Sequence, residues 1–358
     1  MTRMRSQTKR NQPIRVSIHD VAFGGEGVGR LEGKTVFVPF TIEGEHVEAT
    51  IVEQRKRFDR ARLSAVIVPS SDRVTPVCEY FGRCGGCDYQ HIAYHHQIEL
   101  KRRQVQQLLE RIGKFAGINV LPTVACPNPY GFRNRVTVHS SGNRIGFFAK
   151  HSRDVVDVKR CAIALPAVNS ELEKLRATGL QAGRHKTLRA LEVPRTFSQT
   201  NDFVAAALFE YAAGRVTGEV LLDAYCGSGF FAHRLANKMR TVIGIDWNRP
   251  AIEAAKKAAL PNENYFCEDV GSGIDALMKE YKPDTIILDP SADGIDERVA
   301  RAIMGDPSMR LIYVSCNPAA LARDLAGFKH VYRIVAVQPF DMFPQTAEIE
   351  TVAVLDKA

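Results

Sequence analysis

The sequence predicts an α/β protein, in which a doubly wound, Rossmann-like domain follows a small β-barrel and a central α+β domain. Two changes of pattern along the chain carry this prediction. After about residue 200, short apolar runs that stop at polar or glycine residues alternate with helix-like segments, as in a parallel sheet covered by helices. Before about residue 68, apolar and polar residues instead alternate at period two, as in antiparallel strands.

The order of these patterns also predicts the domain boundaries. A chain of 358 residues is longer than one hydrophobic core usually supports, so several domains are expected. We predict a disordered basic arm over residues 1–11, a β-barrel over 12–70, a central domain over 71–195 and the doubly wound domain over 196–358. The cations of "EQRKRFDRAR" predict a basic rim on the barrel, and the alternative is a solvated charged hairpin without a partner.

One helix and one hairpin are predicted inside the central domain. The stretch "HHQIELKRRQVQQLLERIGKF" places Ile98, Val105 and Leu109 near helical spacing, with Lys101 and Arg102 largely on other faces. The stretch "FRNRVTVHSSGNRIGFFAK" then predicts a hairpin that turns at "SSGN".

Charge and composition narrow the class of protein. The formal net charge of +8 favours a polyanionic partner such as RNA or DNA, although many basic proteins bind neither. No apolar run reaches the roughly 18 residues that a membrane span needs, and no apolar segment follows the basic N-terminus as in a secretory signal. We therefore expect a cytoplasmic protein, in which the eight cysteines serve as metal ligands, nucleophiles or core residues rather than disulfides.

Three cysteines lie close together in "VCEYFGRCGGCDYQ". Cys78, Cys84 and Cys87 fall within ten residues, and the two glycines between the last two let the backbone bend tightly. Such a trio predicts a metal centre, and the spacing alone does not decide between zinc and an iron–sulfur cluster. The fourth ligand is Cys161 or, alternatively, Cys126.

A glycine-rich turn predicts a nucleotide-type site. In "LLDAYCGSGFFAHRLA" a strand ends, and Gly227 and Gly229 let a ligand approach the backbone before a helix begins. The next strand ends in Asp246, which can accept both hydroxyls of a ribose, and Asp269 follows the strand after that, in position to reach an adenine edge. Because Ala232 replaces the third glycine of the dinucleotide pattern, a ligand without a pyrophosphate is favoured, and S-adenosylmethionine fits.

A thiol stands at the end of another predicted strand. In "LIYVSCNPAALARDL" the apolar run from Leu311 to Ser315 stops at Cys316, and Asn317-Pro318 opens a helical pattern. Ligands of doubly wound folds bind beyond the carboxyl ends of the strands, so Cys316 is placed where a substrate binds.

Taken together, these motifs resemble the RNA uracil-5-methyltransferase family. The likeness runs from about residue 12 to the end, and its most specific pieces are the cysteine trio with the distant Cys161, "SCNPAALARDL" and "PFDMFPQTAEIETVAVL". Within that family the chain is similar to the branch with an N-terminal TRAM domain, an OB-like barrel, and a [4Fe–4S] cluster, as in 23S rRNA uracil-5-methyltransferases.

The resemblance implies roles for particular residues. Cys316 is expected to be the nucleophile and Glu350 the general base. The expected contacts of S-adenosylmethionine are Gln199, Tyr225, Gly227, Gly229, Phe230, Asp246, Asp269 and Asp289. The expected ligands of the [4Fe–4S] cluster are Cys78, Cys84, Cys87 and Cys161. The expected partner is RNA, with rRNA favoured over tRNA, and we expect a monomer without a membrane partner.

The implied chemistry explains why these groups are needed. C5 of uracil is a poor nucleophile until a thiolate adds to C6, and the C5 proton must leave before the thiol can be released. Only the thiolate attacks, so Cys316 is expected to have a lowered pKa, supplied by a helix N-terminus and a cationic cofactor.

The chain departs from the family pattern at two places. It has Asp289-Pro290-Ser291-Ala292 where the family usually has an arginine after two prolines, and Glu348 where the family usually has a histidine. If Glu348 faces the same pocket, it raises the pKa of Glu350. Three alternatives to a 23S rRNA enzyme remain: a tRNA uracil-5-methyltransferase, an RNA cytosine-5-methyltransferase, and a non-catalytic RNA-binding assembly factor. The cytosine enzymes usually have a cysteine where this chain has Ser291, and a non-catalytic protein needs neither Cys316 nor Glu350.

Overall fold

The computed structural model describes residues 13–190 and 199–358, so the predicted basic arm over 1–11 lies outside the described residues. The first part is a closed barrel of five strands, in the order β1-β2-β3-β5-β4. Its strands are β1 (Pro13–Val21), β2 (Glu26–Leu31), β3 (Lys34–Pro39), β4 (His46–Gln54) and β5 (Phe58–Val68). Alternate residues of β1, from Ile14 to Ile18, are buried in the barrel core, as the period-two pattern predicts.

The central part joins a long helix to a four-stranded antiparallel sheet, in the order β8-β7-β6-β9. The elements are α1 (Tyr94–Arg111), β6 (Arg135–Ser141), β7 (Arg144–Phe148), β8 (Val155–Asp157), α2 (Pro166–Thr178) and β9 (His185–Arg189). β6 and β7 form the predicted hairpin, which turns at Gly142 with φ of 58°.

The predicted faces of α1 are partly wrong. Its buried side chains include Leu100, Lys101 and Gln104 beside the expected Val105 and Leu109. Lys101 is fully buried because a carboxylate from the far end of the chain, Asp341, meets its ammonium group, at 2.6 Å.

The C-terminal part is a seven-stranded sheet in the order β12-β11-β10-β13-β14-β16-β15. Its strands are β10 (Val220–Ala224), β11 (Thr241–Asp246), β12 (Glu263–Cys267), β13 (Thr285–Leu288), β14 (Arg310–Ser315), β15 (Tyr332–Phe340) and β16 (Glu350–Lys357). The first five of these strands are parallel, and β16 inserts antiparallel between β14 and β15. This is the predicted doubly wound architecture.

Helices cover both faces of this sheet. They are α3 (Asp202–Ala213), α4 (Ala232–Leu235), α5 (Arg249–Ala258), α6 (Val270–Tyr281), α7 (Glu297–Gly305) and α8 (Pro318–Phe328). One core joins α6, α7 and α8 to the sheet and also takes in Val105 and Leu109 of α1. The other core joins α3, α4 and α5 to the opposite face. Across residues 13–190 and 199–358, no helix is both long and apolar enough to cross a membrane.

Candidate active site

The glycine-rich turn follows β10 and is shaped by three residues with positive φ. Tyr225 has φ of 66°, Gly227 of 54° and Gly229 of 88°. A Cβ at Gly229 would lie 2.7 Å from the hydroxyl of Tyr265, so this position must be glycine. At Gly227 no atom lies within 4 Å of such a Cβ, which leaves the open approach to the backbone that a ligand needs.

Asp246 ties this turn to the next strand. It is buried at the end of β11, and its two carboxylate oxygens accept the N–H groups of Gly227 at 2.9 Å and of Asn248 at 2.8 Å. Each oxygen keeps a second lone pair, so the carboxylate is still able to accept the hydroxyls of a ribose.

Of the remaining expected cofactor contacts, Phe230, Asp269 and Asp289 follow the carboxyl ends of β10, β12 and β13. Asp269 caps α6 by accepting the N–H of Ser272, and it also pairs with Arg298 at 3.0 Å. Phe230 packs edge-on against Phe231. Asp289 directly follows β13, and its N–H donates to the carbonyl of Ala224. Gln199, outside the sheet, accepts an N–H of Asn134 with its backbone carbonyl.

Cys316 and Glu350 lie side by side at the edge of the sheet, Cys316 directly after β14 and Glu350 at the start of β16. Ser315 of β14 pairs with Thr351 of β16 in antiparallel register, so the next position on each strand is Cys316 and Glu350. Glu350 is buried and Cys316 is partly exposed. Because β13 lies on the other side of β14, Asp289 emerges at the same edge.

Asn317 fixes the turn that carries the thiol. Its side-chain oxygen accepts the N–H groups of Ala319 and Ala320 and so caps α8. Its amide group donates to the carbonyl of Ala292 at 2.8 Å, in the segment that departs from the family pattern. The altered segment is thus held against the turn that carries Cys316.

The protein's own groups raise the pKa of Cys316 to about 11, chiefly by burial and then by the charges of Glu350 and Asp289. In the protein without cofactor the pKa of Cys316 is therefore raised rather than lowered, because burial and then the neighbouring carboxylates outweigh the helix N-terminus. A positive charge is therefore needed to form the thiolate at neutral pH.

The carboxyl groups around the thiol also disfavour each other's charge. Burial raises the pKa of Asp289 to about 7, and burial raises the pKa of Glu350 well above its usual range. The charges of Asp289 and Glu348 add to the shift at Glu350, as expected from the sequence. Such a cluster favours binding of a cation, and a sulfonium is a cation.

The four expected cluster ligands face one cavity of the central part, of about 490 Å³. Cys78, Cys84, Cys87 and Cys161 line it, whereas Cys126 is buried elsewhere, with its thiol on the carbonyl of Asn128. Burial raises the pKa of Cys84 to about 11, and the charges of Cys161 and Cys78 add to this shift. Within the described ranges, no group of three or more His, Cys, Asp or Glu side chains is arranged to hold a single metal ion.

Two buried residues were missed in the sequence. Asp223 on β10 accepts the N–H of Ala232 with one oxygen, and burial raises its pKa to about 8. The sequence does contain a signal for Asp223, which is an acidic residue within an apolar strand. Lys101 carried no local signal, because its partners lie about 240 residues away along the chain.

The fold and this site define a class of protein. A Rossmann-like sheet with a glycine-rich turn, an acidic strand end and no third glycine is that of an S-adenosylmethionine-dependent methyltransferase, and a general methyltransferase domain matches residues 216–288. The TRAM domain matches residues 7–63, and the tRNA (uracil-5-)-methyltransferase family matches residues 271–358.

Whole-chain relatives identify the family. An uncharacterized RNA methyltransferase of Listeria monocytogenes is 31% identical over 96% of this chain and 97% of its own length, and one of Listeria innocua is 30% identical over 97% and 98%. The chain belongs to the RNA uracil-5-methyltransferase family and is an S-adenosylmethionine-dependent RNA methyltransferase. The alignment with the Listeria innocua relative spans 448 positions against 358 residues here, so that relative has insertions that this chain lacks.

A solved structure shows the same fold. The tRNA (uracil-54, C5)-methyltransferase of Pyrococcus abyssi, crystallised with S-adenosyl-L-homocysteine, superimposes with a TM-score of 0.75. The superposition covers 96% of this chain and 100% of the Pyrococcus abyssi chain, and the two sequences are 24% identical.

Proposed function

We propose that this protein methylates C5 of one uridine in a folded RNA, with Cys316 as the nucleophile and Glu350 as the base. The observation that carries the proposal is that these two residues lie at facing positions, at the end of β14 and the start of β16. They emerge at the same edge of the sheet as the glycine-rich turn, which follows β10. A thiol and a buried carboxyl at one strand edge are the two groups that the chemistry requires.

The reaction follows from the properties of these groups. The thiolate of Cys316 forms a bond to C6, and the electron pair released makes C5 nucleophilic. S-adenosylmethionine would supply the methyl group that C5 receives and, with its sulfur–methyl bond broken, would leave as S-adenosylhomocysteine. Glu350 then takes the C5 proton, the C5–C6 double bond reforms and the thiolate leaves. Burial raises the pKa of Glu350, which makes its carboxylate a stronger base than an exposed one.

The residues around the glycine-rich turn fit the cofactor. Gly227 leaves open space at the backbone, and Asp246 offers a buried carboxylate at the end of β11. A bound sulfonium stabilises the charged forms of Asp289 and Glu350, whose pKa values are raised without it, so the site favours a sulfonium over a neutral thioether. Tyr225, Gly229, Phe230, Asp269 and Gln199 are the further proposed contacts.

We also propose that Cys78, Cys84, Cys87 and Cys161 hold a [4Fe–4S] cluster. These thiols line one cavity. Burial raises the pKa of Cys87, and the charges of the other three cysteine thiols add to this shift. A multiply charged cationic group is needed to ionise all four together. Its proposed role is to organise the central part, since no electron transfer enters the reaction.

The proposed target is 23S rRNA, because the TRAM barrel together with the cysteine trio resembles that branch of the family. A tRNA target is the second candidate, because the matching C-terminal family model and the Pyrococcus abyssi protein are both described as tRNA enzymes. The closed barrel and the net charge of +8 support an RNA partner in either case.

The deciding experiment measures tritium release from RNA labelled at uracil C5, with S-adenosylmethionine, using total rRNA and total tRNA separately. We expect release from one pool, with rRNA as the first choice. Cys316→Ala should abolish release while the variant still binds the cofactor. Glu350→Gln should trap a covalent, methylated RNA–protein adduct, because the proton that must leave has no acceptor.

Two outcomes would contradict the proposal. Methylation of cytosine without tritium release from uracil would indicate the cytosine-5 enzyme. Cofactor and RNA binding without any methylation of either pool would indicate the non-catalytic assembly factor.

A further inference from the structure

The loop between β15 and β16 is unusual because most of it is buried. Phe340 pairs with Glu350 across the two strands, so the nine intervening residues, 341–349, form the connection of a β-hairpin. We call them the base segment, since they lead directly into Glu350. Only Phe343 and Glu348 among them are not buried. A buried loop must find partners for its own polar groups inside the protein.

Lys101 of α1 supplies several of those partners. Its ammonium nitrogen lies 2.6 Å from Oδ1 of Asp341, 3.1 Å from the carbonyl oxygen of Phe343 and 2.8 Å from the carbonyl oxygen of Glu348. An ammonium group has three N–H donors, and all three are used within this one segment. Lys101 thus joins the beginning of the base segment to its end, two residues before Glu350.

Two further residues on the same face of α1 reinforce this contact. Tyr94 donates its hydroxyl to Oδ2 of Asp341 at 2.6 Å, so both oxygens of that carboxylate are bound. Gln97 exchanges hydrogen bonds with the side chain and the N–H of Gln345. Gln345 has φ of 69°, a strained value for a residue other than glycine, which persists because the surrounding bonds fix it.

The energetics indicate that this pair does more than stabilise the fold. Lys101 and Asp341 are fully buried, and removing two charges from water costs about as much as their attraction returns. An apolar pair of similar volume often gives equal or better stability. What the ion pair adds is geometry, because three acceptors of one segment are held at fixed distances from a single atom.

We propose that Lys101 is a positioning residue for catalysis: it clamps the base segment so that Glu350 stands against the C5 proton of the substrate. This inference rests on the proposed role of Glu350 as the base. Tyr94 is the second, weaker member of the clamp. Neither residue is expected to touch the RNA or the cofactor.

The test measures kcat and KM of Lys101→Met, which keeps an unbranched side chain only one atom shorter and removes the charge and the donors. A displaced base slows removal of the C5 proton, so kcat should fall by about 100-fold. The KM for S-adenosylmethionine should not change, because the cofactor contacts lie on other strands. The covalent, methylated adduct should accumulate during turnover, which a merely structural role would not cause.

Arg310→Met is the matched control. It removes the ion pair of Arg310 with Asp356, at 2.7 Å, at the opposite end of β14. It should leave kcat unchanged and form no adduct. Thermal unfolding of both variants, with and without cofactor, measures the folded fraction.

Two results for Lys101→Met would overturn the proposal. One is turnover at the wild-type rate. The other is a loss of activity only in proportion to the folded fraction, without adduct. If Lys101→Met does not fold, Tyr94→Phe decides, because it retains the charge pair: a lower kcat with adduct supports the clamp, and wild-type kinetics contradict it. If Glu350→Gln itself forms no adduct while Cys316→Ala is inactive, the proposed role of Glu350 fails instead.

Discussion

At the scale of single residues, the protonation state of the Cys316 thiol decides whether the proposed reaction can start. Burial and the charges of Glu350 and Asp289 raise its pKa to about 11. An unperturbed thiol has a pKa of about 8.5, so the thiolate fraction of Cys316 at neutral pH is lower than that of a free thiol by a factor of more than about 100. The same carboxyl groups favour a bound sulfonium, whose charge acts on the thiol in the opposite direction.

We therefore predict that the methyl donor activates the nucleophile. In the protein without ligand, alkylation of Cys316 by iodoacetamide should rise with pH through about 11. With S-adenosylmethionine the profile should move to lower pH, because a cation stabilises the thiolate. With S-adenosylhomocysteine, which has no sulfonium charge, it should not move. Mass spectrometry of the Cys316 peptide separates this thiol from the other seven, and equal profiles with the two ligands would contradict the prediction.

The residues of the site differ in how well the sequence predicted them. Strand ends and turns are local, so the positions of Cys316, Gly227 and Asp246 at one edge of the sheet followed from apolar runs and glycines. The pKa of Cys316 did not follow, because its shift depends on burial and then on the carboxyl groups of Glu350 and Asp289, which surround the thiol only after the sheet is formed.

At the scale of elements, the cysteine loop and the base segment form one unit. The N–H groups of Asp88 and Tyr89, directly after Cys87, both donate to the carbonyl of Gln345 at 2.9 Å. The carboxylate of Asp88 accepts the N–H of Ala347 at 3.1 Å. The loop that carries three of the proposed cluster ligands therefore holds the segment that leads to the proposed base.

We predict that loss of the cysteine centre loosens the base segment. After anaerobic purification, iron and sulfide near four each per chain are expected, whereas stoichiometric zinc would contradict the cluster. Cys87→Ser should lose the cluster and increase hydrogen exchange of the amides in 341–349, because the anchors at Asp88 and Tyr89 weaken. Cys126→Ser, outside the cysteine cavity, is the control and should retain both the cluster and the protection. Unchanged exchange after cluster loss would show that the two elements are independent.

The elements themselves were largely predictable, and their contacts were not. β14 was expected over Leu311–Ser315 and begins one residue earlier, at Arg310. Helix α1 was predicted from its apolar spacing, yet its face with Tyr94, Gln97 and Lys101 is polar and buried. Periodicity cannot reveal such a face, because its partners come from a loop far along the chain.

At the scale of the whole molecule, we expect the barrel and the doubly wound sheet to have different roles. Cations of the barrel bind the RNA, and residues at the edge of the sheet carry out the proposed reaction. Part of the barrel's basic rim is neutralised within the protein, since Arg55 pairs with Glu53 and Arg60 lies near Glu26 and Glu53. Lys56 and Arg57, in the turn between β4 and β5, are exposed. From this turn their side chains can meet phosphates.

We predict that these two cations contribute to RNA affinity without contributing to the chemistry. Each phosphate contact releases counterions, so the double variant Lys56→Ala/Arg57→Ala should bind the substrate RNA more weakly and reduce the slope of log affinity against log salt by about two. Its kcat at saturating RNA should remain that of the wild type, because the site on the sheet is unchanged.

The control for that variant is Arg240→Ala, which removes an exposed cation paired with Glu219 at 3.0 Å, at the other end of the sheet from the site. It should leave the slope unaltered. Titrations of fluorescent RNA at several salt concentrations measure both slopes. An unchanged slope for the barrel variant would mean that the rim is only a solvated hairpin, and that the RNA is held by cations of the central and C-terminal parts. A reduced slope would mean instead that phosphate contacts at the barrel hold the RNA while the C-terminal sheet carries out the reaction.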